Sequence, residues 1–318
     1  MIHPFQPQIT MLDYLKQHGW KPARDHGQEE VPGPCPFHRE TRPSFYVNRR
    51  KQVFYCHGCG RCGSLFRLRQ LFDDVTPLAE PRTNRAELLH ATYSFYQQQL
   101  CRNSEATAYL SRRGIHDPAV MERMQIGYAP GACLRGYLMH LGFTRQILRD
   151  CGLIDDQGRD SLFHCLTFPL EETGNLYGRS VTDGPYPHRF LPRPKGGLYG
   201  WVQGRLSRSI ILVEGLFDLA SLWQAGFNHA VAALGSHLNS RQLEQLESAT
   251  GRTIYLCFDA DQNGSGQRAA RYLNVRLRET GITVRRVELP RGQDPNSLLA
   301  STGREGIAVF QQCLEQAR

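Results

Sequence analysis

Along the chain the spacing of apolar positions changes character three times. Up to about Asp74, apolar residues come in short extended pieces, Phe45–Val47 and Gln52–Tyr55, set among Pro, Cys, Gly and Arg. Such pieces bounded by turn formers predict short strands in a small β-rich module. After a Pro- and charge-bearing stretch, Thr76–Asn84, the segment AELLHATYSFYQQQL places Leu89, Tyr93, Tyr96 and Leu100 at three- and four-residue steps. Leu88, Ala91 and Phe95 widen the same face. This predicts an amphipathic helix, with its aromatic stripe spent on packing. From Leu153 the pattern turns to strands: Cys165–Leu170, a turn at Thr173-Gly174-Asn175, then Leu176–Val181.

Beyond Arg208, strand-length apolar runs at Ser209–Val213, His229–Leu234, Thr253–Phe258 and Thr283–Leu289 alternate with helical stretches at Leu216–Ala225, Ser240–Ser248 and Gln267–Glu279. Buried runs alternating with helices predict a mostly parallel sheet covered on both faces. The expected class is an α+β multidomain protein. Residues 1–75 form the β-rich module, 84–205 a mixed α/β subdomain, 206–300 an α/β subdomain, and 301–318 a helical segment.

The chain's 318 residues fit two or three compact units. Its formal charge of +8 suits a polyanionic partner if the charge is clustered, and it is. Arg39 to Arg69 holds eight basic residues and one acid, Glu40; Arg179 to Arg208 holds six and one, Asp183. The start, MIHPFQPQ, lacks a basic stretch followed by an apolar one, and no run of about 18 apolar residues occurs. The expectation is a cytoplasmic protein with no membrane partner.

Four of the ten cysteines are bunched, at Cys35, Cys56, Cys59 and Cys62, which argues for a metal knuckle over a disulfide scaffold. Cys35-Pro-Phe-His38 and Cys56-His-Gly-Cys59 are two pairs with two residues between ligands, separated by 17 residues. That layout suits one closed tetrahedral Zn²⁺ site of structural role. His57 and Cys62 compete for the second pair; Cys56 and Cys59 are preferred because each pair then opens its own turn, leaving Cys62 a free thiol. Around the knuckle, Arg42, Arg49, Arg50 and Lys51 interleave with Phe45, Tyr46, Phe54 and Tyr55, a mix suited to phosphate contact and base stacking if the rings are not core.

In parallel α/β sheets ligands gather at the carboxyl ends of the strands. Glu214 follows the run Ser209–Val213, and Asp218 falls in the first turn of the next helix. A second tip carries Asp259 and Asp261, which alternation puts on one side of an extended chain, and a third acid-bearing turn holds Asp294. Acids converging on one rim repel one another unless cations neutralise them, and an all-oxygen donor set favours Mg²⁺ or Mn²⁺. Divalent ions so placed are what phosphoryl transfer needs. Singly, Asp218 reads equally as a helix-start charge and Asp294 as a turn former.

These motifs together resemble the bacterial replicative primases, the DnaG family, over nearly the whole chain. CPFH, RPSF and CHGCG resemble the family's zinc-binding domain, YLSRRGI with IGYAP the start of its RNA polymerase domain, and EGLFD with DADQNG its Toprim motifs. HRFLPRPKGGLYG resembles the family's motif for single-stranded template and RNA–DNA hybrid. The resemblance implies strand contacts by Arg189, Phe190 and Lys195, and similar use of Arg113 and Arg179. It also implies metal-binding roles for Glu214, Asp259 and Asp261, with Asp218 and Asp294 assisting. The implied activity is synthesis of RNA primers from ribonucleoside triphosphates on single-stranded DNA. The rivals are a Toprim nuclease or topoisomerase-like enzyme, and an inactive single-strand-binding relative.

Two departures matter. Asn296 stands where the family usually has a third aspartate, and the sequence stops at Arg318, so the family's helicase-binding carboxyl domain is expected to be absent, as in primases of plasmids, phages or integrated elements. No GxxxxGK[ST] loop is present to suggest a fused helicase, so a helicase would be met in trans.

Overall fold

A computed structural model of the chain describes residues 9–72, 82–170, 172–182, 184–258, 265–279 and 281–318. It divides into two compact units, residues 1–83 with 135–145, and residues 84–134 with 146–318. The division leaves no break near residue 206: the middle and last regions share one unit.

The first unit comprises helix α1 (Met11–Gln17), strands β1 (Glu30–Gly33), β2 (Phe45–Asn48), β3 (Val53–Cys56) and β4 (Cys62–Ser64), and helix α2 (Leu65–Leu71). The strands form one antiparallel sheet in chain order. Thr10 caps α1 by accepting from the Asp13 backbone N–H. Strand alternation sorts the aromatics: Phe45 and Phe54 point inward, 0% and 2% exposed, with ring centroids 5.2 Å apart, whereas Tyr55 points out. Half of the interleaved rings are therefore core.

The second unit contains α3 (Arg85–Arg102), α4 (Ser104–Arg112), α5 (Pro118–Arg123) and β5 (Gly127–Ala129). Helix α6 (Leu134–His140) lies mostly within the stretch assigned to the first unit. The second unit continues with α7 (Arg145–Asp150), which begins at the boundary, then β6 (Cys165–Leu170), β7 (Asn175–Ser180), β8 (His188–Phe190) and α8 (Trp201–Gly204). Its last part alternates β9 (Ser209–Val213), α9 (Leu216–Gln224), β10 (Ala230–Ala232), α10 (Ser240–Glu247), β11 (Thr253–Cys257), α11 (Ser265–Glu279) and β12 (Thr283–Arg286), and ends in α12 (Pro295–Thr302) and α13 (Arg304–Glu315).

Two sheets result. One is antiparallel, β5-β6-β7-β8; the other is parallel, β10-β9-β11-β12. The expected runs at His229–Leu234 and Thr283–Leu289 shorten to three and four paired residues, because both strands lie at sheet edges. Leu88, Leu89, Phe95, Tyr96 and Leu100 of α3 are buried, so the aromatic stripe is packing. Strand β5 passes so close to that helix that a Cβ on Gly127 would sit 2.6 Å from the Tyr96 Cβ.

A single apolar cluster runs from Leu110, Tyr128, Phe168 and Tyr177 to Ile211, Phe217, Trp223 and Phe310. Both sheets and the final helix thus share a core, which fixes the antiparallel strands relative to the carboxyl end of β9. Gln224 adds a polar tie: its Oε1 accepts from the His116 and Asp117 N–H groups while its Nε2 donates to the Gly114 carbonyl. No described helix is long and apolar enough to cross a membrane.

Candidate metal centre and nucleic-acid cleft

In the first unit, Cys35, His38, Cys56 and Cys59 bring one ligand atom each to within 4.8 Å of one another. Cys35 Sγ lies 3.8 Å from Cys59 Sγ, and Cys56 Sγ 3.9 Å from His38 Nδ1. Tetrahedral Zn²⁺ with bonds of about 2.3 Å to sulfur puts its sulfur ligands about 3.7 Å apart, so the cluster fits the ion. Cys62, on β4 opposite Tyr55, is exposed and outside the cluster.

One residue not singled out from sequence organises this centre. Glu40 accepts from the Cys35 N–H at 2.6 Å and the Ser44 N–H at 3.1 Å, also takes the Ser44 hydroxyl, and lies 3.2 Å from His38 Nε2. With Nδ1 facing the cluster and Nε2 facing the carboxylate, His38 is held in the orientation a metal ligand needs. Burial pushes the Cys35 thiol up to about 12. Burial would raise Cys56 too, but hydrogen bonds led by the Ser44 hydroxyl bring it to about 7. Arg42, Arg50 and Lys51 are exposed nearby, while Arg49 is paired with Asp25.

The second unit holds a cavity of about 420 Å³ at the carboxyl end of β9. Its lining includes Arg113, Arg179, Phe190 and Lys195 together with Glu214, Asp218 and Asp294. Glu214 is half-buried directly after β9. Asp218, 6% exposed, accepts the Gly215 N–H at 3.1 Å and the Asn296 N–H at 3.1 Å, so its carboxylate fastens the starts of α9 and α12. Asp294 caps α12, accepting from the Ser297 N–H at 2.6 Å. Strand β11 lies beside β9 with Cys257 opposite Val213. Asp259 and Asp261 lie outside the described residues.

The cationic side is a connected array. Arg179 donates from Nε to the Tyr109 hydroxyl at 3.2 Å and lies 2.9 Å from His188 Nε2; the other imidazole nitrogen is 2.7 Å from the Tyr177 hydroxyl. Arg113 reaches the same Tyr109 hydroxyl at 3.5 Å. Burial alone would raise the Tyr109 phenol, but the two guanidiniums outweigh it and leave its pKa below the ordinary value. His188 is held below the usual imidazole value by burial, then by Arg179 and Lys195. The Lys195 ammonium sits 4.9 Å from the Phe190 ring centroid and donates to the Leu234 carbonyl at 3.0 Å.

Arg189 departs from expectation. It is the middle residue of β8, so alternation turns it from the face that His188 and Phe190 share, and its guanidinium stacks 3.6 Å from the Phe163 centroid. His188 takes the place expected of Arg189; the signal that could have found it was the period-two pattern of a strand at that motif. A larger cavity, about 580 Å³, adjoins Lys195 and is lined by Arg123, Trp223 and Arg241, but its one acid among the described residues, Glu172, is already paired with Arg241.

Residues 23–82 match the CHC2 zinc finger family and residues 211–299 the Toprim-like family. Primases from Pasteurella multocida and Escherichia coli K12 are 30% and 31% identical to this chain, each across 89% of it. The Aquifex aeolicus primase structure, spanning zinc-binding and RNA polymerase domains, covers 98% of this chain and 84% of its own, with 25% identity and a TM-score of 0.65. The chain belongs to the DnaG-type primases. It spans a little over half of those two bacterial relatives, 56% of each. A DnaG catalytic domain bound to ssDNA shares 27% identity over 73% of this chain and 81% of its own, with a TM-score of 0.58. The zinc-finger match with the Cys₃His cluster makes Zn²⁺ the ion of the first unit, and the Toprim match makes Mg²⁺ that of the DnaG-type cleft.

Proposed function

We propose that this chain synthesises short RNA primers on single-stranded DNA by divalent-metal-dependent nucleotidyl transfer. One observation supports the reading above all: a single cavity joins Arg113, Arg179 and Lys195 to the carboxylates at the tip of the parallel sheet. Cations with an aromatic ring suit a phosphate backbone and a stacked base, while clustered oxygens suit a hard cation.

Glu214 with Asp259 and Asp261 would hold Mg²⁺, which when bound supplies charge stabilisation of the triphosphate under attack. Asp218 and Asp294 act through backbone, by keeping the starts of α9 and α12 at the cavity rim. Arg113, Arg179 and Lys195 orient the strand, and Phe190 offers a face for a base. The substrates are ribonucleoside triphosphates, the setting is the cytoplasm, and a replicative helicase in trans would expose the template.

The test is incubation of the chain with single-stranded DNA, labelled ribonucleotides and Mg²⁺. New short RNA is expected; shortened DNA would make it a Toprim nuclease, and a bound but unaltered strand an inactive relative.

A further inference from the structure

Asn296 removes one carboxylate from the acid-bearing rim, and its surroundings show what the amide does instead. It is 3% exposed. Its Nδ2 donates to the Arg113 carbonyl at 2.7 Å and to Ser221 Oγ at 2.7 Å, while its Oδ1 accepts from the Arg113 guanidinium at 3.3 Å. One amide thus presents a donor to the Arg113 backbone carbonyl and an acceptor to the Arg113 guanidinium. Only an amide answers both; a carboxylate would face the Arg113 carbonyl oxygen with like charge.

The guanidinium so held lies 5.1 Å from the Phe217 centroid and 5.7 Å from that of Tyr109, at the edge of the cavity. Among the described residues no carboxylate pairs with it, and the partner that fixes it is neutral. An aspartate at this position would pair with Arg113 and offset its charge.

We propose that Asn296 is a positioning residue that presents Arg113, charged and oriented, to a phosphate oxygen in the cleft. Among the described residues, the side chains that hydrogen-bond the Arg113 guanidinium, Asn296 and Tyr109, leave its positive charge in place at the rim. The inference rests on the cleft reading above.

The test uses the whole chain with its zinc retained and no Mg²⁺ added, so that metal binding in the cleft does not enter. Binding of a fluorescein-labelled oligo-dT is followed by anisotropy across a series of NaCl concentrations, and a fluorescent ATP analogue serves as a second probe. N296D and R113A are each expected to weaken binding about five- to tenfold and, on oligo-dT, to lower the salt slope by about one. The double variant should be no weaker than R113A, because Asn296 acts through Arg113. Loss confined to oligo-dT identifies a strand phosphate, and loss confined to the ATP analogue a triphosphate. If R113A weakens binding while N296D matches wild type, or if the two losses multiply, the inference is overturned and the cleft reading stands. If R113A also binds both probes as wild type does, the cleft reading fails with it. Should N296D not fold, N296A serves: it removes the clasp without adding charge, so affinity should fall with the salt slope unchanged, and wild-type affinity overturns the inference.

Discussion

The zinc centre and the acid-bearing cleft hold their polar groups in opposite ways. The zinc ligands fall between Cys35 and Cys59, and one carboxylate, Glu40, ties their loops through its two oxygens. The cleft draws on residues from Arg113 to Asn296, held by a continuous apolar core and by buried tethers such as Asp218 and Gln224. The first unit buries a modest set of apolar side chains and leans on its ion, whereas the second keeps its cleft in shape through packing and those tethers.

That contrast can be broken most sharply by removing zinc. Cys56→Ser, or a strong chelator, should unfold most of the first unit, since structural zinc contributes about 10 kcal/mol or more in small modules. Circular dichroism and released-zinc titration would show it, and the second unit's melting transition should stay in place. A transition lost from both units would refute the division of labour.

Next in size, Asp259→Ala should lower primer synthesis by about a thousandfold while oligo-dT binding without added Mg²⁺ stays near wild type. Retained synthesis would remove Asp259 from the proposed metal set. Glu40→Gln keeps the shape but loses the charge facing His38, and zinc affinity should drop by about 10- to 100-fold, read by competition with a chromophoric chelator. Unchanged affinity would reduce Glu40 to a loop tie.

The smallest effect concerns acid. His188 and His229 are both held below the ordinary imidazole value, by burial first and, for His188, also by Arg179 and Lys195. With a folded pKa below the unfolded one, each contributes stability that is whole above about pH 6.5 and is lost as pH falls towards the folded value. The second unit's Tm should therefore fall between pH 7 and pH 5, and His188→Gln should blunt part of that fall. A flat profile in wild type would contradict both shifts.

How much could be read beforehand followed the same contrast. The zinc ligands were legible because their geometry is written in two short spacings. So were the parallel strands, whose apolar runs need no partner to be recognised. Asp218 and Asp294 announced themselves as acids, yet their backbone tethering depends on α9 and α12 meeting, and no local pattern encodes that. Glu40 looked like a lone acid in a basic stretch because its value lies in reaching three loop positions at once. Arg189 stacks on Phe163 while His188 lines the cavity because a strand alternates its side chains, and three residues are too few for that alternation to be legible in the sequence.

That short edge strand has an evolutionary corollary. Only three residues of β8 pair with β7, Tyr177 opposite Phe190 and Arg179 opposite His188. An insertion in the preceding connection, before Pro187, can be absorbed as extra loop, whereas the Pro187 carbonyl already accepts from the Ser180 N–H at 2.9 Å. One residue inserted between His188 and Phe190 would reverse which side chains enter the cleft and which stack on Phe163. Drift in length is thus tolerated before Pro187 and forbidden from there to Phe190.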